Sequence, residues 1–290
     1  MNANFKPVFF APLLLIITLA AHAQDNAKPK PVKMPEIQAE SLRAPDKVKI
    51  DGNVDEWGTW QAHNTDVRVF YTLANDDKNL YLVIRSQGPY PNDKMLLGGI
   101  TLIVSHSLDK KKRIKAPDNV SVTFPVIDKQ KVVSVNASSD KYFYNWAGEK
   151  RTGHQAQIDS LQAVANAQAD AAFKEIRVIG IKDVDTVISM YNTDGIKAAA
   201  RFDNNIVLNC EMAIPLKYLG LDPANPTAFS YAVRLNGTRS NRMTITSRGP
   251  VSPAMQDMIE QMQNRIITDP NQLYMIDPKD LWSVYTLAKK

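Results

Sequence analysis

The chain has one cysteine, Cys210, in 290 residues. No disulfide can form within it, so its stability has to come from packing. Histidine is also scarce, and His22, His63, His106 and His154 form neither a zinc-spaced pair nor the helical dyad of a metalloprotease. No Gly-x-Ser-x-Gly elbow, phosphate-cradling glycine loop or dinucleotide fingerprint occurs, so the usual hydrolase, nucleotidase and dehydrogenase signatures are missing. The net charge is only +5 and is spread along the sequence. A nucleic-acid partner needs a broader basic face than that. The densest cluster, Lys110 to Arg113 with Lys115, falls between strand-like segments and reads as a solvated loop tip.

One long apolar run is present, Val8 to Ala20, behind Lys6 and ahead of the small residues Ala21-His22-Ala23. That pattern predicts a secretory signal over residues 1–23, cleaved after Ala23 and too short for a membrane span. The expected product is periplasmic or secreted. Residues 24–43 are rich in Lys, Pro, Glu and Gln with little to bury, which predicts a disordered leader. Residues 44–290 are long enough for a single domain.

Within that domain, apolar residues recur at period 2. Residues 67–73 and 80–86 alternate and are joined through Asn75-Asp76-Asp77, which predicts a hairpin. Further strands are expected at 99–105, 120–126, 174–181 and 186–191. Residues 196–202 and 206–212 alternate on either side of Asp203-Asn204, predicting a tight hairpin with Cys210 facing inward beside Leu208 and Met212. Strands at 229–236 and 281–288 complete the set. Many short strands with few helices predict an all-β fold, an antiparallel β-sandwich of jelly-roll or Ig-like type. Two segments at helical period interrupt it: residues 155–172, and residues 253–266, where Met255, Met258, Ile259, Met262 and Ile266 form a stripe expected to pack on the core.

Several segments carry a family resemblance. Asp51-Gly52-Asn53-Val54-Asp55-Glu56-Trp57 is a tight turn, an acidic pair and a tryptophan, and some twenty residues later Asn75-Asp76-Asp77 leads into Asn79-Leu80-Tyr81. Cys210-Glu211-Met212-Ala213-Ile214-Pro215 ends a late strand at proline, as a strand end favours. In this order, and together with the strands from Phe229 and from Trp282, they resemble the family 9 carbohydrate-binding modules and their secreted relatives. The resemblance implies a sandwich that binds carbohydrate or cell-envelope glycan without catalysis and without a cofactor.

In such proteins the apolar face of a sugar stacks on aromatic rings while polar side chains read its hydroxyl edge. The candidates here are Tyr142, Tyr144 and Trp146, in an aromatic cluster before the first helix, with Arg234, Asn236 and Arg239 as polar partners. Trp146 is either a stacking platform or the anchor of a small hydrophobic cluster. Trp57 and Trp60 read as packing residues, and Trp282 is open to either role. Asp51, Asp55, Asp76 and Asp77 match no calcium-loop spacing and are expected to serve turns, so no metal site is expected. Two other readings remain: a structural or protein-interaction factor of the envelope with a periplasmic or secreted protein partner, and, more weakly, a glycoside hydrolase, which needs only two placed carboxylates.

Overall fold

Alternation at period 2 gives each strand one apolar and one polar face, and two such sheets bury their apolar faces against each other. The computed structural model describes residues 34–127, 155–238 and 252–290. It contains β1 (Ala62–Asn64), β2 (Val69–Asn75), β3 (Asn79–Ser86), β4 (Ile100–Ser105), β5 (Val120–Val126) and β6 (Glu175–Ile179). The later strands are β7 (Val187–Ser189), β8 (Lys197–Phe202), β9 (Leu208–Pro215), β10 (Phe229–Leu235) and β11 (Lys279–Tyr285). They form a five-stranded sheet, β1-β2-β3-β9-β8, and a six-stranded sheet, β11-β10-β4-β5-β6-β7. All of these pairings are antiparallel, as expected for the sandwich.

The core lies between the sheets. Tyr71, Leu73, Leu82, Ile84 and Met212 enter it from the first sheet, and Leu102, Val122, Phe124, Phe229 and Tyr231 from the second. Cys210 is buried among them, as its alternation predicts. The hydroxyls of Tyr71 and Tyr231 meet across the core at 3.2 Å.

The Asp76 turn shows why β2 and β3 pair as they do. Asp76 Oδ1 accepts the amides of Lys78 and Asn79 at 2.7 and 2.6 Å, and Oδ2 accepts the Tyr81 hydroxyl at 2.7 Å. Burial acts to raise the Asp76 carboxyl, but these donors and the charge of Arg43 outweigh it and hold the group below its usual range.

Four α-helices accompany the strands among the described residues: α1 (Pro89–Gly98), α2 (Gln155–Ala172), α3 (Pro253–Thr268) and α4 (Pro270–Ile276). The expected insertions are α2 and α3. In α2, Ala165 and Ala169 are buried and Ile158 and Leu161 half-buried against the core, whereas Val164 is exposed.

Several expectations need correction. Residues 34–43, expected within a disordered leader, pack on the sandwich: Gln38 is buried, its Oε1 accepts the Leu73 amide at 2.8 Å, and its Nε2 donates to the Leu73 carbonyl at 2.8 Å. A polar residue can be held this way without any apolar signal, because backbone groups satisfy it. The β8–β9 connection is not a two-residue turn. Phe202 pairs with Leu208, and in the intervening 203–207 loop Asp203 Oδ1 accepts the amides of Asn205 and Val207 at 2.8 and 3.0 Å. The methionine stripe does not all face the core, since Met255 and Met258 are about half exposed, at 51% and 53%.

Candidate functional site

The outward face of the six-stranded sheet is built by the residues that alternate with the core positions. Strand register places Asp280, Arg234, Thr101, Thr123 and Arg177 in one row across β11, β10, β4, β5 and β6. The adjacent row is Trp282, Ala232, Ile103, Ser121 and Ile179. A groove of about 800 Å³ runs over this surface, lined by Arg234, Thr101, Thr123 and Arg177 of the first row, by Ile103, Ser121 and Ile179 of the second, and by Asn236; Trp282, Ala232 and Asp280 are not part of its lining.

Arg234 and Asn236, both expected at a ligand site, therefore lie in one groove, although each has structural work as well. Arg234 Nε and Nη2 donate to Asp280 Oδ2 at 3.0 and 2.5 Å. Asn236 Nδ2 donates to the Gly98 carbonyl at 3.0 Å and to Thr101 Oγ1 at 2.9 Å, fixing the joint between α1 and β4. No side chain fits at position 98, because a Cβ there would stand 2.2 Å from the Asn236 carbonyl oxygen.

Thr101 and Thr123 share a hydrogen bond of 2.7 Å, so each retains hydroxyl capacity toward the groove. Arg177 is exposed and takes part in none of the ion pairs among the described residues. Ile179, 55% exposed, adds apolar surface, and Ile103 beside it is nearly covered. Trp282 is half-buried on the same face, with the Arg113 guanidinium 5.0 Å above its ring. That contact gives one residue of the solvated basic loop a packing role.

Tyr142, Tyr144, Trp146 and Arg239 lie outside the described residues. The described chain stops at Ile127 and at Thr238; Ile127 lines the groove, as does Gly237 beside Thr238. Thr101, Thr123 and Arg177 escaped the sequence reading. Each occupies an ordinary outward strand position, and only the pairing of strands distant in sequence brings them together.

The other expected residues sit on the opposite sheet. Trp57 is buried and packs with Tyr81, Val83 and Ala213 on the outward side of the five-stranded sheet, with Trp60 half-buried against them. Its Nε1 donates to Glu211 Oε1 at 2.7 Å, while Glu211 Oε2 accepts the amides of Asp51 and Gly52 at 3.0 and 2.7 Å. Asp51 Oδ1 accepts the Asn53 amide at 2.9 Å, the turn role expected of it. Gly52 is required there, with φ of 83° and no room for a Cβ beside Arg201. Burial pushes the Glu211 carboxyl up to about 7, although its three donors pull the other way. The carboxylate is enclosed by the turn it holds, and its position makes it the clasp of the Asp-Gly motif.

No family model matches the chain, and no curated protein is similar to it. Among solved structures it is similar to a carbohydrate-binding module of family 9 from Caldicellulosiruptor kristjanssonii in complex with cellotriose. The two share 13% identity over 68% of this chain and 76% of that one, with a TM-score of 0.31. Similarity at that level does not place the chain in that family.

Proposed function

We propose that this is an exported, non-catalytic protein that binds carbohydrate or a cell-envelope glycan in the groove on the six-stranded sheet. The observation that carries the reading is the row Arg234–Thr101–Thr123–Arg177 beside Ile103 and Ile179. Hydroxyls and guanidinium groups in a row can satisfy the hydroxyl edge of a sugar, and the neighbouring apolar surface suits its C–H face. The reading extends to Tyr142, Tyr144, Trp146 and Arg239, the aromatic and polar residues that the sequence resemblance offers for stacking and for hydroxyl contacts. Export rests on the charged and apolar pattern of residues 1–23. Among the described residues no helix is long and apolar enough to cross a membrane.

A glycan array followed by affinity electrophoresis tests this. Retention by at least one glycan is expected, weakened about tenfold, or about 1.4 kcal/mol, by Arg177→Ala and by Trp146→Ala. Binding indifferent to Arg177→Ala removes the groove from the site. Release of reducing sugar from a bound glycan would instead make the protein a hydrolase.

A second reading, an envelope factor that docks on another protein, is favoured by the exposed Met255 and Met258 of α3. Methionine repacks readily against varied partners. Cross-linking in periplasmic extract that depends on these two methionines, with no array signal, would select it.

A further inference from the structure

The outward side of the five-stranded sheet holds a second row that the groove does not use. Register aligns His63 of β1, Phe70 of β2, Arg85 of β3, Asn209 of β9 and Arg201 of β8 across all the strands. The neighbouring rows are covered by Trp57 and the residues packed with it, and this row lies beside that cover. One end is aromatic: the His63 and Phe70 rings stack at 4.2 Å, and Trp60 lies 6.4 Å from Phe70. The other end is polar, with Arg85 paired to Asp203 at 2.7 Å and Arg201 exposed and in none of the ion pairs among the described residues. A hollow of about 570 Å³ opens over Arg85, Asn209 and Arg201. Another of about 380 Å³ opens over Trp60, Phe70 and Arg85; Arg85 lines both, and the two hollows follow one row of the sheet, a trough in two parts.

The trough floor contains an unanswered polar atom. Asn209 is only 3% exposed, and its Oδ1 has no hydrogen-bond partner. His63 Nε2, in the same row but in the lining of neither hollow, is likewise buried without one. Such orphans are rare, since each costs about 1–3 kcal/mol, and they mark places where a partner belongs.

We propose that this trough is a second saccharide site, on the face opposite the groove; the proposal rests on the glycan-binding reading and makes the protein bivalent. The class of ligand follows from the lining. Asp51, Asp55 and Asp203 stand beside Arg85 and Arg201, and Asn209 Oδ1 is an acceptor. An anion offers acceptors alone and would meet the carboxylates, whereas a hydroxyl both donates and accepts. Turned toward the hollow, Asn209 Oδ1 accepts from one sugar hydroxyl while Arg201 donates to a neighbouring one. The apolar face of the ring lies toward Phe70 and Trp60. Two saccharide faces on one sandwich let a single chain bridge two glycan strands, with a gain in avidity over either face alone.

Calorimetric titration of the mature protein with cellohexaose, xylohexaose and chitohexaose tests the proposal. At least one hexasaccharide is expected to bind at two sites per chain. Arg201→Ala, at an exposed position, and Asn209→Leu each weaken one of these about tenfold, and Arg177→Ala weakens the other. A single site untouched by Arg201→Ala and Asn209→Leu overturns the second site and leaves the groove standing. A single site untouched by Arg177→Ala overturns the groove and leaves the trough. No heat with any of the three overturns the trough, and groove binding then stands or falls on the array alone.

Discussion

Glu211 shows how one residue ties the opening motif to the far end of the chain. It is fully buried on β9, and its carboxylate gathers two turn amides and the Trp57 indole N–H. Replacement by alanine leaves the buried Gly52 amide and Trp57 indole N–H, and the half-buried Asp51 amide, without an acceptor and is expected to cost about 3 kcal/mol in urea unfolding. Burial raises its carboxyl from an ordinary 4.5 to about 7. A folded-state value above the unfolded one means that the folded protein favours the neutral form. The contribution is therefore complete below about pH 4.5 and is lost as the pH rises through about 7. The loss is on the order of 3 kcal/mol. Urea midpoints measured at about pH 5 and about pH 8 should fall in the native protein and converge in Glu211→Gln. An equal fall in the variant would assign the slope to other groups. The sequence displayed Glu211 within a strand but gave no sign of its partners, which lie some 160 residues earlier.

Among the elements, α1 was illegible in sequence for a specific reason. Its buried positions include Asn92 and Lys94, which break any apolar stripe. Asn92 Nδ2 donates to the Ile206 carbonyl at 2.9 Å and its Oδ1 accepts the Leu208 amide at 2.9 Å. Lys94 Nζ donates to the carbonyls of Tyr274 and Asp277 at the end of α4 and lies 4.7 Å from the centre of the Tyr274 ring. Burial, with the nearby charge of Lys279, lowers the Lys94 ammonium to about 8. Lys94→Met leaves both carbonyls unanswered; a loss of about 2 kcal/mol is expected, with faster amide exchange confined to residues 270–276. Unchanged exchange there would show that apolar packing alone docks α4. The strands, by contrast, were legible because each buries one face, and period 2 records that directly. The short α4 left only its Asp269-Pro270 start as a sign, and Asp269 does cap the Asn271 amide at 2.8 Å.

Across the whole molecule, a core with no cross-link predicts that reductant leaves the melting temperature unchanged. Cys210 should resist a thiol reagent until the protein unfolds, because burial and then the charge of Glu211 push its thiol well up. A reductant-dependent melt would point to a bond between chains. At this scale the sandwich was readable from alternation, while the groove was not: its row depends on pairing β4, β5, β6 and β10, which no local pattern records. The central claim is that this row holds a saccharide, and a crystal structure of the mature protein with the array's tightest oligosaccharide tests it most directly. The account predicts sugar hydroxyls within hydrogen-bond distance of Thr101, Thr123 and Arg177, with a ring face toward Ile179. A sugar bound elsewhere with the groove empty would contradict it.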